Sequence, residues 1–131
     1  MDRLVNEHFM YEATDDVDGV LATFTDDVSH DVVGSPVHPL TGKEAIRPFY
    51  TQLFRDMEGE SAQPLRRYYG DNFLIDETAW TGHIGDGRLV GLPGASGRCT
   101  YRMLHVFELR AGLISRENVW FDVPAIAAQT R

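Results

Sequence analysis

The chain has one cysteine, Cys99, among 131 residues. That excludes an intrachain disulfide and a cysteine-based metal cluster. No apolar run approaches the roughly 18 residues that would span a membrane. No basic patch or Lys/Arg run appears, and the net charge is −8 with a pI near 4.9. Nucleic acid and anionic membrane are therefore not expected as partners. Met1-Asp-Arg-Leu-Val-Asn-Glu7 lacks a charged-then-apolar leader, so the expected location is the cytoplasm. The glycine-rich stretch Gly91–Gly97 has neither a G-x-G-x-x-G pattern nor a lysine–serine phosphate cradle, which argues against a nucleotide site. No His-x-His or His-x₃-His spacing marks a metal site, and neither metal nor cofactor is expected. Internal repeats, linkers and low-complexity segments are also missing.

What remains is an ordinary globular composition, 43% hydrophobic and 24% charged, at a length suited to one domain over residues 1–131. Residues 3–13 place Leu4, Val5, His8 and Phe9 at helical spacing. Thr14-Asp-Asp-Val-Asp18 offers a break and a new N-cap. Val17, Val20, Leu21 and Phe24 predict a second short helix to about Thr25. A short strand follows over 28–33. Thr41-Gly-Lys-Glu44 has the form of a capping box and opens a third helix with Ile46, Phe49, Tyr50, Leu53 and Phe54 on one face. Residues 57–62 read as a polar loop. Strands are expected over about 63–69 and 73–84.

The longest strand signal is Cys99–Arg110, joined by a tight turn at Ala111-Gly112 to Leu113–Asp122. Alternation puts Cys99, Tyr101, Met103, His105 and Phe107 on one face. That face is the more apolar one, and His105 is its only strongly polar member. Helices followed by a curved antiparallel sheet make an α+β layout. Three N-terminal helices packed in such a sheet enclose a cone-shaped apolar interior suited to a small molecule.

The order of elements resembles the nuclear transport factor 2-like, or cystatin-like, α+β cone. The strings Phe24-Thr-Asp-Asp-Val-Ser-His-Asp-Val-Val-Gly34, Gly42-Lys-Glu-Ala-Ile-Arg-Pro-Phe-Tyr50, Trp80-Thr-Gly-His-Ile-Gly85 and His105-Val-Phe-Glu-Leu-Arg-Ala-Gly-Leu-Ile114 are similar to its SnoaL-like polyketide cyclase branch. The resemblance implies a histidine seven residues before the glycine of the last hairpin, and His105 stands there before Gly112. It also implies an acid/base aspartate seven residues after that glycine, where this chain has Val119. The run His30-Asp-Val-Val-Gly34 resembles the Asp-x-x-Gly of ketosteroid isomerases, which makes Asp31 the expected base. His105 is then the expected donor to a developing enolate oxygen.

Tyr50, Phe49, Trp80, Tyr101, Met103 and Trp120 are the expected ligand contacts, since a cone needs aromatic lining. The expected activity is proton transfer without a cofactor on a hydrophobic carbonyl compound, by aldol cyclisation or isomerisation. A ligand-binding or dimerisation module of the same fold is the alternative, and Val119 favours it. The Asp31–His105 pair favours the enzyme. The expected partners are a hydrophobic small molecule and a second copy of the chain, because Leu104 and Val106 with Val119 or Trp120 would leave an apolar outer sheet face. His38 and His83 are expected at the surface.

Overall fold

Two short helices open the chain, α1 (Asp2–Ala13) and α2 (Val17–Ala22). They are separated where Asp16 turns back to accept the Gly19 N–H at 2.8 Å, an N-cap within the expected break. The computed structural model describes residues 1–131. After β1 (Phe24–Val32) and the two-residue β2 (Leu40–Thr41) comes α3 (Lys43–Asp56). Four long strands follow: β3 (Met57–Tyr69), β4 (Phe73–Ile84), β5 (Gly97–Arg110) and β6 (Leu113–Phe121). The three expected N-terminal helices are all present, and a further helix, α4 (Val123–Gln129), closes the chain. No helix is long and apolar enough to cross a membrane.

The six strands form one curved, unclosed sheet in the order β2-β1-β6-β5-β4-β3. All neighbours are antiparallel except β1 and β6. Helices α1 to α3 lie in its concavity, and their apolar faces meet Phe24, Val28, Leu74, Phe107 and Ile114 in the main core. A smaller cluster of Ile84, Val90, Cys99, Tyr101 and Ile126 seats α4 at the other end.

Three local expectations change. Residues 57–62 are strand, because β3 is an edge strand exposed along nearly its whole length and so carries no apolar alternation to read. The capping box does not form: Gly42, at φ 89°, is the N-cap of α3, and Glu44 pairs with Arg47 instead. Strand β1 begins four residues earlier than expected, at Phe24, since Phe24 and Val28 are both needed in the core.

Candidate functional site

Strand register decides which side chains enter the concavity. Asp76, His105 and Val119 are direct neighbours across β4, β5 and β6, and all three are buried. One step toward the hairpin, Phe107 is paired with Glu117, and Glu117 with His30 of β1. In the other direction Thr78, Met103 and Phe121 make the next row, followed by Trp80 beside Tyr101. Trp80 can lie flat there because Gly82 has no side chain: a Cβ at Gly82 would sit 2.3 Å from the Glu58 carbonyl and 2.5 Å from the indole. Helix α3 adds Phe49, Tyr50, Leu53 and Phe54. All of these residues except Phe107, Gly82 and Glu58 line a cavity of about 400 Å³.

The inner end of the cavity is polar and joined by hydrogen bonds and ion pairs. Thr23 donates its hydroxyl to the Val20 carbonyl at 2.6 Å, so it can only accept from His8 Nδ1 at 2.9 Å. On the other side of the ring, His8 Nε2 lies 3.0 Å from Glu12 Oε1 and 3.0 Å from Glu117 Oε2. A proton on each nitrogen satisfies both sides, so His8 is an imidazolium. Burial alone would lower its pKa, but the charges of Glu117 and Glu12 override burial and raise it to about 10. Burial likewise opposes the Glu117 charge, and the His8 cation overcomes it, holding Glu117 ionised well below the usual carboxylate range.

Glu117 also fixes the protons beyond it. Tyr50 has one hydroxyl proton and lies 3.2 Å from each Glu117 oxygen, so it donates there. Burial first, then Glu117, raises its pKa well above the ordinary value and keeps it a phenol. His30 Nε2, 3.2 Å from the Tyr50 oxygen, must therefore be the donor. His30 Nδ1 then accepts from His38 Nε2 at 3.1 Å, and Ser35 donates to His38 Nδ1 at 3.0 Å. Burial lowers the His30 pKa to about 4, so it is neutral, as this order of protons requires. A one-way chain of hydrogen bonds thus runs from the loop after β1 to the buried carboxylate.

At the opposite wall Asp76 accepts from Thr78 and from Arg67 Nε at 2.7 Å. Arg67 continues to Asp2 at 2.8 Å and Asn6 at 2.7 Å. Between the two polar regions stands His105. It is 4% exposed and lines the cavity. Its ring stacks on Phe107, with centroids 5.5 Å apart and planes 2° apart, and meets the edge of Phe9 at 5.1 Å. Its Nδ1 is enclosed without a partner, and no protein group hydrogen-bonds either ring nitrogen. The other two buried histidines are held by the protein, His30 through hydrogen bonds at both nitrogens and His8 through Thr23 and two carboxylates.

Phe49, Tyr50, Trp80, Tyr101 and Met103 line the cavity with His105. Two expected site residues do not. Asp31 is half-buried on the opposite face of β1, beside Asn118 of β6, because its neighbours Val28, His30 and Val32 take the inward positions. The residue that enters is His30. Trp120 is 40% exposed on the outer face of β6, since Glu117, Val119 and Phe121 hold the inward phase. His83 is exposed as expected, whereas His38 is half-buried within the hydrogen-bond chain.

Glu12, Glu117, His8 and Asp76 are the residues that sequence reasoning missed. Strand parity was available for Glu117, which shares a face with Val119. The i, i+4 spacing of His8 and Glu12 was also visible, but nothing local said that Glu117 would meet them. One nitrogen of His8 and one oxygen each of Glu12 and Glu117 lie within 4.8 Å of one another, a spacing that could hold a metal ion. The proton on His8 Nε2 occupies the centre of that group.

Comparison with known proteins is consistent with this geometry. A family model described as a SnoaL-like domain matches residues 5–117. No curated protein matches the sequence. Among solved structures, a polyketide cyclase candidate from Silicibacter sp. TM1040 superimposes with a TM-score of 0.80 at 21% identity, covering 99% of this chain and 94% of that one. A hypothetical protein of ketosteroid isomerase-like fold from Catenulispora acidiphila, in complex with trimethylamine, gives 0.79 at 16% identity, covering 97% and 91%. An epoxide hydrolase of the LEH-like type from M. tuberculosis gives 0.74 at 19%, covering 96% and 85%. At these identities the likeness concerns fold.

Proposed function

This chain belongs to the SnoaL-like domain family, and from that premise we propose that it is an enzyme transferring protons, without a cofactor, next to the carbonyl of a hydrophobic small molecule. The observation that carries the reading is His105, a buried imidazole at the cavity wall with no hydrogen-bond partner in the protein. An imidazole with a free ring nitrogen facing a cavity can accept a proton from a ligand or donate one to it. Asp31 has no part in it. Glu117 is a poor base, because its charge is already stabilised by His8 and Tyr50.

His105 would take the proton α to the carbonyl: the C–H bond breaks, an N–H bond forms, and an enolate faces the new imidazolium. Returning the proton to another carbon of the conjugated system is isomerisation. Attack of the enolate carbon on a second carbonyl of the same molecule forms a C–C bond and an alkoxide, which takes the proton back from the His105 imidazolium; that is cyclisation by aldol addition.

The test is exchange of the α-protons of 2-tetralone, a bicyclic ketone, in deuterated buffer, followed by proton NMR. We expect the protein to accelerate exchange and His105→Ala to lower the rate by ~10²-fold or more. Binding of the ketone with no acceleration would contradict the enzymatic reading. It would favour a ligand-binding module, to which Val119 at the family's acid/base position already points.

A further inference from the structure

We propose that the natural ligand carries a protonated amine, which sits against Glu12 at the inner end of the cavity. The inference rests on reading the cavity as a ligand site but does not depend on turnover. Five carboxylates line the cavity, those of Glu12, Asp15, Glu60, Asp76 and Glu117, against one guanidinium, that of Arg67. Arg67 is spent on Asp76, Asp2 and Asn6. Glu60 is paired with Arg98 at 2.9 Å. His8 supplies a single positive charge to two carboxylates.

The buried cluster therefore keeps one uncompensated negative charge, since Tyr50 and His30 are both neutral. An unpaired charge away from bulk water is costly and draws a counter-charge. Only Glu12 of the pair has an open side. Its side chain is 23% exposed, against 2% for Glu117, and it lines the cavity.

The surroundings suit an organic cation. Phe9 meets His8 at a centroid distance of 5.7 Å, and Phe54 meets Tyr50 at 5.8 Å. Both phenyl rings line the cavity with Glu12, and an aromatic face can receive an ammonium group. No unpaired cation is available to receive a carboxylate or a phosphate. A divalent metal would have to displace the proton that His8 shares between the two glutamates. A ligand ammonium needs no such displacement and leaves the cluster neutral.

Three tetralins of nearly equal shape separate charge from fit: 2-aminotetralin, 2-tetralol and tetralin-2-carboxylate. Their affinities are measured by calorimetry at neutral pH. We expect the amine to bind at least about tenfold tighter than the alcohol, and the carboxylate to bind most weakly. In Glu12→Gln the preference for the amine over the alcohol should vanish, with alcohol affinity retained.

The wild-type series alone decides the matter if that variant fails to fold. Equal affinities, preference for the carboxylate, or no amine binding at millimolar concentration would overturn the proposal. So would tight binding of Zn²⁺ or Mn²⁺, lost in Glu12→Gln, without any preference for the amine. Amine preference without deuterium exchange would sink the enzymatic reading alone, and exchange without amine preference would sink this inference alone.

Discussion

His8 and His30 share one buried cluster and are pushed in opposite directions. Both start from an ordinary value of 6.5, and the glutamates raise His8 to about 10 while burial lowers His30 to about 4. The stability that His8 contributes is complete below 6.5 and is lost as pH rises toward about 10. Between 6.5 and about 4 the unfolded chain protonates His30 while the folded chain does not, so stability falls as pH falls. Glu117, held low by His8, adds its own loss at still lower pH. We expect thermal stability to peak near pH 6.5. His8→Gln leaves Glu117 buried without its cation and should cost about 3–5 kcal/mol. It should also flatten the alkaline limb. Melting curves from about pH 5 to about pH 9 check this, and an alkaline limb unchanged in His8→Gln would rule out the ion pair as its source.

At the scale of the element, strand alternation was the most legible signal. Cys99, Tyr101, His105 and Phe107 are buried, with Met103 partly so, while Thr100, Arg102, Leu104 and Glu108 are exposed, as period two requires. The same rule applied to β1 separates Val28, His30 and Val32 from Asp31. A family-like string favoured the aspartate, but parity favours the histidine. The cluster of His8, Glu12 and Glu117 was not legible, because it joins α1 to β6 across more than a hundred residues and no local pattern encodes that contact. The last hairpin was legible and is slightly imperfect. Arg110 pairs with Leu113 across a two-residue loop in which Ala111 and Gly112 both have positive φ, 53° and 78°. Alanine is strained there, whereas asparagine tolerates it. Ala111→Asn should stabilise the fold by about 0.5–1 kcal/mol, read as a rise in urea midpoint at unchanged m-value. A lower midpoint would show that the turn is not under strain.

The whole molecule has two faces of different use. The outer sheet face carries Leu104 beside Trp120, 37% and 40% exposed, with Ile75 and Val106 in the adjoining row. Such a patch is best covered by a second copy, and we expect sedimentation to show a homodimer that Trp120→Asp disrupts. A monomer at micromolar concentration would reject this. The inner face holds the cavity, and there one histidine alone is free to meet a ligand. Nitrogen-15 NMR of the labelled histidine rings during titration with 2-tetralone reads that directly. We expect the His105 nitrogens to shift in proportion to binding, while exposed His83 stays unchanged and His8 remains an imidazolium. Saturation with the ketone while the His105 nitrogens stay unmoved would contradict the assignment of this cavity and this residue as the functional site.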